Sequence, residues 1–554
     1  MNGDGLGLGT SSAASRLGVV IGGSLKAGLD VRLDDGRSVE QMAVGRYVVV
    51  HGQHQRFFGM VTDVLLQTEH AGIVGLPTDS GDDFVREVLA GTAAYGMLRI
   101  MPLLALDPAI GEPRPVKTVP AHYATVCEAE QDDIARIFGD EGMNHFRIGS
   151  PLDMDVKVCL NYNRFIERSN GVFGKTGTGK TFLTRILLAS TIMTSDKRTH
   201  ESDRAVHLIF DMHNEYGWAG KTEGRSEVKG LKQLYPGRVA VFSLDPESSA
   251  RRNAAVDGPI EIGYGDIEPQ DMAALGETLN LTDAAVDATY VLQRRFGQKH
   301  WVREALTLRS VEDETKDTLA ELNVHAGSFA NLRRGLDRLV RHAFVREETQ
   351  AQSVRRVLEH LLGGTSVVLE FGRYGDDLAA YMLVANILTR RIHEEYRKRT
   401  EIAAGDESRR PNHLVITIEE AHKFLSRKVA SQTIFGEIAR EMRKYNVTLL
   451  IVDQRPSGID DEVMSQIGTK FSCLLDDESD IDAVLSGVSG RSELRSVLAR
   501  LDSRQQALIF GHAVPMPVVV QTESYGPETY ERLTGSQLDG RGLLERLREG
   551  AEDW

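Results

Sequence analysis

The feature that most constrains the fold is a glycine-rich loop between a short apolar run and a helix-like segment. Residues 171–183 read GVFGKTGTGKTFL and match the spacing G-x-x-x-x-G-K-[ST] at Gly174, Gly179, Lys180 and Thr181. Glycines let backbone N–H groups turn inward around phosphate oxygens, where a Cβ would obstruct the turn. The following helix points the positive end of its dipole at the same anion. The loop therefore predicts a nucleotide-binding site at a junction of strand and helix.

The loop also indicates which side chains hold the nucleotide. Lys180 is expected to reach the β- and γ-phosphates, and the Thr181 hydroxyl is expected to ligate Mg²⁺. The predicted cofactors are ATP and Mg²⁺. A chance match in a chain with 53 glycines is the alternative, but the strand-like GVF before the loop and the apolar helix face after it favour the site. The residues predicted to surround the phosphates are Gly174, Thr176, Gly177, Thr178, Gly179, Lys180 and Thr181.

Length and charge limit the class of protein. A chain of 554 residues favours more than one domain. A formal net charge of −15 argues against a protein coated in nucleic acid, although a narrow basic lining inside an acidic surface is compatible with DNA binding. No apolar run has transmembrane length and the N-terminus shows no signal pattern, so we expect a cytoplasmic protein without membrane contact.

The order of patterns along the chain predicts its domains. Short β-rich runs over 17–104 indicate a small barrel, and a proline-containing stretch at 111–120 indicates a boundary. Continuous apolar runs such as HLIFD, LVITIE and TLLIVD then alternate with helical patterns, which is typical of a parallel sheet in an α/β fold. Residues 267–362 show helical periodicity without a clear strand, which indicates an inserted all-helical bundle. The predicted segments are a disordered N-terminus at 1–15, the barrel at 16–120, the core at 121–266 and 363–524, the helical insertion at 267–362 and a C-terminal tail at 525–554.

Two carboxylates follow one of the predicted buried strands. A P-loop site needs one carboxylate for the Mg²⁺ water shell and another to orient the attacking water. In LVITIEEAHKFL, Glu419 is the candidate for the metal and Glu420 for the water. Most P-loop ATPases have Asp-Glu here, so Glu419 is a departure, but its longer side chain can still reach a metal-bound water. The alternative is a pair of solvated acids at the start of a helix.

Two other strand ends carry polar residues. IFDMHNEYG places Asp211 and Glu215 near the same sheet edge, where they are expected to support the metal or to couple DNA binding to hydrolysis. TLLIVDQRPSGID places Gln454 where its amide could contact the γ-phosphate and report its loss. In both segments the alternative is a plain polar turn.

A pair of arginines lies in GEIAREMRKYN. Arg440 and Arg443 are three residues apart and share a helix face. Arginine is well suited to stabilise charge on a phosphoryl group that is transferred in a neighbouring subunit. From spacing alone, however, the better interpretation is a solvated helix face with weak ion pairs.

Taken together, these motifs resemble the HerA family of the HerA/FtsK-type P-loop ATPases. The resemblance covers nearly the whole chain and is carried by GKTGTGKT, DMHNEYG, IEEAHKFL, IAREMRKYNVTLLIVDQRPSGID and QALIFGHAVPMPVVV. It implies a RecA-like P-loop core. The N-terminal region is similar to the small barrel that HerA proteins share with ATP synthase subunits. The helical insertion lies where HerA has its helical bundle.

The resemblance also implies a mechanism. The chain is expected to form a homohexameric, ATP-driven motor that moves double-stranded DNA through a central channel. Glu420 becomes the hydrolytic glutamate and Gln454 the sensor. Arg440 or Arg443 is expected to act on the ATP of the adjacent subunit, which reverses the interpretation from spacing alone. One departure is Asp453, which stands where the family usually has serine.

Basic loops after the strand ends are candidates for contact with DNA in the channel. They carry Lys221 and Arg225 in GKTEGRSEVKG, and Arg427 and Lys428 in LSRKVAS. Contacts to phosphates rather than bases would make binding independent of sequence and sensitive to salt. These loops are equally compatible with solvated surface.

The expected partners come from the resemblance alone. They are a NurA-like nuclease for resection of broken DNA ends, or an effector of anti-phage defence such as a sirtuin-type NAD hydrolase or another nuclease. The barrel is the expected docking surface for each. Two alternatives stay open: a ring scaffold that activates an effector with little translocation, and a protein-unfolding ring.

Overall fold

The computed structural model describes residues 15–68, 94–106, 113–152, 154, 156–221, 227–308, 313–406, 409–430, 433–488, 490–503 and 505–535. The predicted disordered N-terminus, apart from Ser15, lies outside the described residues, as does the predicted tail beyond residue 535.

The N-terminal region is a closed antiparallel barrel of six strands. Its order is β2-β1-β7-β3-β4-β5, and pairing of β2 with β5 closes the ring, while β6 adds to the outer edge of β5. Alternate residues fill its interior, among them Val31, Val48 and Leu98. The predicted barrel is confirmed, but its last strand extends the sheet past residue 120. The strands are β1 (Arg16–Ser24), β2 (Gly28–Leu33), β3 (Tyr47–His51), β4 (Arg56–Thr68), β5 (Ala94–Leu106), β6 (Pro113–Pro115) and β7 (Thr125–Glu128).

The core is built on a 12-stranded sheet in the order β15-β14-β18-β11-β19-β20-β10-β21-β22-β23-β8-β9. The short strands β12 and β13 pair with each other, as do β16 and β17. The remaining strands are β8 (His145–Ser150), β9 (Val158–Asn161), β10 (Asn170–Phe173), β11 (Ala205–Asp211), β12 (Gly220–Lys221), β13 (Glu227–Val228), β14 (Val239–Ser243), β15 (Gly258–Pro259), β16 (Ile262–Gly263), β17 (Val345–Arg346), β18 (Ser366–Glu370), β19 (His413–Glu419), β20 (Val447–Asp453), β21 (Thr469–Ser472), β22 (Gln506–Gly511) and β23 (Val518–Thr522).

The sheet is parallel on one side and antiparallel on the other. From β15 to β21 all neighbours are parallel, and every residue of β11 and β20 is buried. This explains the continuous apolar runs, because both faces of such a strand are covered. Beyond β21 the pairs are antiparallel. The apolar segment ALIFGH forms β22 in this antiparallel part, because a short turn returns the chain directly into β23.

Helices cover the sheet and form the predicted insertion, α6 to α12, which is interrupted by the two-residue strand β17. Of the helices that the structure describes, none combines the length and apolar character needed to cross a bilayer. The helices are α1 (Gln131–Phe138), α2 (Tyr162–Glu167), α3 (Lys180–Asp196), α4 (Leu231–Leu234), α5 (Pro246–Arg251), α6 (Pro269–Ala274), α7 (Gly276–Leu279), α8 (Asp283–Phe296), α9 (Trp301–Thr307), α10 (Asp313–Glu321), α11 (Ala326–Leu339), α12 (Ser353–Leu362), α13 (Leu378–Ala403), α14 (His422–Leu425), α15 (Ile434–Glu441), α16 (Asp461–Gln466), α17 (Glu478–Val484), α18 (Arg491–Leu498) and α19 (Pro527–Thr534).

The strand order positions the candidate site. Strands β11, β19, β20 and β10 are consecutive neighbours and run in the same direction. Phe173 at the end of β10 pairs with Asp453 at the end of β20, and Glu419 at the end of β19 pairs with Val452. The loops that follow these strands therefore emerge side by side at one edge of the sheet, where ligands of open α/β sheets bind.

Candidate nucleotide site

The glycine-rich loop has the backbone that its sequence predicts. Gly174, Gly177 and Gly179 have φ angles of +153°, +81° and +92°, a region that residues with a Cβ rarely adopt. At Gly174 a Cβ would also lie 2.7 Å from the Cβ of Cys473. Helix α3 begins at Lys180, directly after the loop. The phosphate cradle and the helix that follows it therefore form one local unit.

Contacts within the loop define its shape. The hydroxyl of Thr178 and the ammonium of Lys180 each donate to the carbonyl of Lys175, both at 2.8 Å. Burial lowers the pKa of Lys180, while the nearby side chains of Cys473 and Glu420 oppose that shift. A phosphate group would supply the negative charge that favours the ammonium form.

Glu419 has one carboxylate oxygen engaged and one available. Its Oε1 accepts a hydrogen bond from the Tyr216 hydroxyl at 2.9 Å. Its Oε2 is buried and has no hydrogen-bond partner within the described residues. Burial, together with the charge of Asp211, raises the pKa of Glu419 well above its usual value. A buried oxygen of this kind fits a metal ion or a metal-bound water, because either would stabilise the ionised form.

Glu420 lies at a backbone position that a non-glycine residue rarely adopts. Its φ is +50°, and its carbonyl accepts from the N–H of Lys423 at 2.9 Å. Its Oε1 accepts from the amide nitrogen of Gln454 at 2.9 Å, and the amide oxygen of Gln454 accepts from the Thr176 hydroxyl at 2.5 Å. A single chain of hydrogen bonds thus joins the phosphate loop, the predicted sensor and the predicted hydrolytic glutamate.

The Asp453 side chain contacts His422, while its backbone carbonyl accepts from the N–H of Gly174 at 3.3 Å. Its buried carboxylate accepts from the backbone N–H groups of His422 and Arg455, both at 2.6 Å, and lies 3.0 Å from the His422 ring. That hydrogen bond raises the pKa of His422 against the opposing effect of burial. His422 was not predicted as a site residue from the sequence. The available clue was its place in IEEAHKFL, two residues after Glu420.

Asp211 and Glu215 lie beside the site rather than within the phosphate loop. The Asp211 carboxylate accepts from the backbone N–H groups of Glu215, Tyr216 and Gly217, at 2.7, 2.8 and 3.2 Å. Burial raises the pKa of Asp211 to about 7. These bonds shape the turn that carries Tyr216 to Glu419, so Tyr216 is a second site residue that the sequence analysis did not identify.

The two candidate arginines lie in α15 and in the 3₁₀ turn after it. The Arg440 guanidinium donates to the carbonyls of Gly436 and Ala430, at 2.9 and 3.3 Å, and lies 3.5 Å from the Glu462 carboxylate. These contacts are separate from the phosphate loop of the same chain. Arg443 lies within the turn Met442–Tyr445, and its side chain is outside the described part of the structure.

The candidate DNA contacts are only partly described. Arg427 and Lys428 are exposed; Arg427 pairs with Asp461, and the Lys428 ammonium lies 3.6 Å from Glu277. Lys221 ends β12, but its side chain and the whole of Arg225 lie outside the described residues.

The chain is similar to known helicases over most of its length. Residues 146–392 match the family described as "DUF87: Helicase HerA, central domain". The DNA double-strand break repair helicase HerA of Sulfurisphaera tokodaii is 25% identical over 574 residues, covering 97% of each chain. The alignment with this HerA helicase spans nearly the whole chain. A HerA helicase of Saccharolobus solfataricus is 28% identical over 432 residues, covering 76% of each chain.

These similarities confirm the resemblance to HerA that was inferred from the motifs, and the chain is a P-loop ATPase. Among solved structures, VirB4 of Thermoanaerobacter pseudethanolicus aligns with a TM-score of 0.43 at 14% identity, covering 70% of this chain and 99% of that one.

Proposed function

We propose that this HerA-family ATPase assembles as a homohexameric ring and uses ATP hydrolysis to move double-stranded DNA through its channel. The observation that carries the proposal is the hydrogen-bond chain from Thr176 through Gln454 to Glu420, beside Lys180 and Glu419. The relatives named as DNA double-strand break repair helicases support DNA as the substrate.

In the ATP site, each side chain has one task. Lys180 and the loop N–H groups bind the phosphates, and the Thr181 hydroxyl and the unpartnered Oε2 of Glu419 would hold Mg²⁺. When bound, Mg²⁺ neutralises charge on the transferring phosphoryl group. Glu420 orients the attacking water and accepts its proton, and Gln454 changes partner between Glu420 and the γ-phosphate.

Release of the γ-phosphate is then transmitted through Gln454 to the loop that follows β20. Exposed cations, including Arg427 and Lys428, contact the DNA phosphates. Contacts of this type do not depend on base sequence, so every step along the duplex is equivalent. Arg440 or Arg443 stabilises the charge on the ATP of the adjacent subunit, which links successive sites around the ring.

The ring works with a second protein in the cytoplasm. A NurA-like nuclease, or a defence effector such as a sirtuin-type NAD hydrolase or another nuclease, docks on the barrel.

The test compares the wild-type chain with Glu420→Gln in ATP hydrolysis, with and without duplex DNA. We expect duplex DNA to stimulate the wild type and high salt to remove the stimulation. Glu420→Gln should bind ATP normally and lose about 100-fold or more of its turnover, because the water loses its base. Glu401→Gln, an exposed substitution on α13, is the matched control. The proposal would be contradicted if duplex DNA did not change the rate of ATP hydrolysis, either for the purified chain alone or for the chain with its cognate partner.

One observation favours a second candidate, an ATP-regulated scaffold. Gln454 donates to the Glu420 carboxylate and thereby occupies one of its acceptor positions, which holds the Glu420 side chain against the loop after β20. A ring that stays in this state would hydrolyse ATP slowly and act mainly to organise its partner. Normal partner activation by Glu420→Gln would favour the scaffold, whereas loss of activation together with turnover would favour the motor.

A further inference from the structure

Asp453 and His422 form a pair next to the site that the proposed mechanism does not use. They lie on different segments: Asp453 ends β20, and His422 begins the short helix α14 after β19. The Asp453 carboxylate is 1% exposed and accepts the backbone N–H of His422 at 2.6 Å and its ring Nδ1 at 3.0 Å. One carboxylate therefore holds both the main chain and the side chain of His422.

The contact with Asp453 determines which nitrogen of the His422 ring carries a proton. A carboxylate can only accept hydrogen bonds, so Nδ1 must carry the proton. The hydrogen bond to Asp453 and the charges of Asp453 and Glu420 raise the pKa of His422, while burial and Lys423 lower it. The ring is thus held as a donor in a fixed orientation.

The same pair fixes the turn that carries the predicted hydrolytic glutamate. Glu420 is in the left-handed region at φ +50°, a conformation that persists only where the surroundings impose it. His422 is two residues further along, and its Nδ1 lies 3.8 Å from Oε2 of Glu420. A Cβ on Gly458 would lie 3.2 Å from the Cβ of His422, so the chain after β20 packs closely against this turn.

Asp453 directly precedes Gln454, the residue that engages the other oxygen of Glu420. The loop after β20 therefore contacts the turn after β19 at two points. Gln454 contacts the Glu420 side chain, and Asp453 contacts His422, two residues after Glu420. If Gln454 turns to a phosphate, the contact between Asp453 and His422 remains as a side-chain link between β20 and the turn that carries Glu420.

We propose that His422, held by Asp453, is the positioning residue that keeps Glu420 in its hydrolytic orientation when Gln454 leaves it. This inference rests on the proposed function, in which Glu420 orients the attacking water. His422 does not touch the reacting atoms; it acts through the turn and through its proximity to Oε2 of Glu420.

Side-chain geometry allows a selective test with the full-length chain and duplex DNA. The amide nitrogen of asparagine lies about where Nδ1 of histidine lies, whereas that of glutamine corresponds to Nε2. His422→Asn should therefore keep the donor to Asp453 and retain turnover within about threefold of the wild type. His422→Gln should misplace the donor and lower kcat about tenfold or more. Asp453→Asn should have a similar effect because the amide is a weaker acceptor for the ring N–H.

Readouts other than turnover separate positioning from folding. The His422→Gln and Asp453→Asn variants should bind a fluorescent ATP analogue within about twofold of the wild type, and the loss should appear in kcat rather than KM. His54→Asn, an exposed substitution in the barrel, is the control for histidine replacement. Equal turnover of His422→Asn, His422→Gln and the wild type would overturn the inference. So would a parallel loss of Tm, ATP affinity and kcat in both test variants.

Glu420→Gln in the same assay distinguishes failure of the role proposed for Glu420 from failure of the role proposed for His422. If Glu420→Gln retains turnover, the assignment of the hydrolytic glutamate fails and the inference fails with it. If Glu420→Gln loses turnover while His422→Gln does not, the inference alone is wrong.

Discussion

At the scale of single residues, the environment of Lys180 fits its expected role in binding the nucleotide phosphates. Its side chain is half-buried near Glu420, and its ammonium donates to the carbonyl of Lys175 at the turn of the phosphate loop. Burial lowers its pKa, so the ammonium form gains most when a phosphate lies next to it. The energetic value of this lysine is therefore expected to appear in nucleotide binding rather than in stability.

We predict that Lys180→Ala abolishes ATP binding. Loss of a charge-assisted hydrogen bond to phosphate should weaken affinity about 100-fold or more. Titration calorimetry with ATP and Mg²⁺ measures the effect, and Lys197→Ala, an exposed substitution just beyond the other end of α3, serves as the control. Unchanged affinity in Lys180→Ala would contradict the assignment of the phosphate cradle.

At the scale of elements, strand β11 is buried on both faces and contains a histidine that must stay neutral there. Every residue of β11 is buried, and His207 in its middle is 0% exposed, with Nε2 lying 2.9 Å from the Thr191 hydroxyl of α3. Burial lowers the pKa of His207 to about 3. The strand is therefore compatible only with neutral histidine over the ordinary pH range.

This arrangement predicts acid sensitivity of the core. The unfolded chain protonates His207 near pH 6.5 and the native chain only near pH 3, so native stability is lost as pH falls below 6.5. Between pH 7 and pH 5 the loss should be about 2 kcal/mol from this one residue. Urea unfolding of the wild type and His207→Gln at both pH values measures it. The pH dependence should be smaller by this amount in His207→Gln, whereas His54→Gln in the exposed barrel position should match the wild type.

At the scale of the whole molecule, the proposed mechanism takes one catalytic residue from a neighbouring copy of the chain. The phosphate loop, Glu420 and Gln454 share one sheet edge, whereas Arg440 has its contacts with Gly436, Ala430 and Glu462. An arginine that serves an ATP site from outside must come from a neighbouring copy. In the proposed ring, rotational symmetry would repeat one interface, so every site would receive its arginine in the same way.

Mixed rings test this prediction. Arg440→Ala should bind ATP normally and lose turnover by about 1,000-fold if it is the residue that acts in trans. Adding Lys180→Ala chains, which are inactive alone but carry an intact arginine, should restore part of the activity. Arg443→Ala, measured in the same way, identifies which arginine acts, and Arg397→Ala on the exposed face of α13 is the control. Absence of rescue in both mixtures would exclude the trans arrangement.

Features that depend on local pattern were predictable from the sequence. The phosphate loop follows from the spacing of its glycines before Lys180, because the backbone it requires is set within a few residues. The buried strands β11, β19 and β20 follow from continuous apolar runs, since strands covered on both faces admit few polar residues. The barrel and the helical insertion follow from a change of hydrophobic period along the chain.

The tertiary structure alone decided which strand ends meet and where their side chains point. The sequence placed Glu420 and Gln454 after strands. They contact each other and Thr176 only because β19, β20 and β10 are adjacent in the sheet. Asp453 was noted as a departure from the family, and its contact with His422 depends on how two separate turns pack. Tyr216 donates to Glu419, although the two residues are 203 positions apart in the sequence. Contacts of this kind lie outside any local pattern, because pairing between distant strands, rather than the neighbouring sequence, determines them.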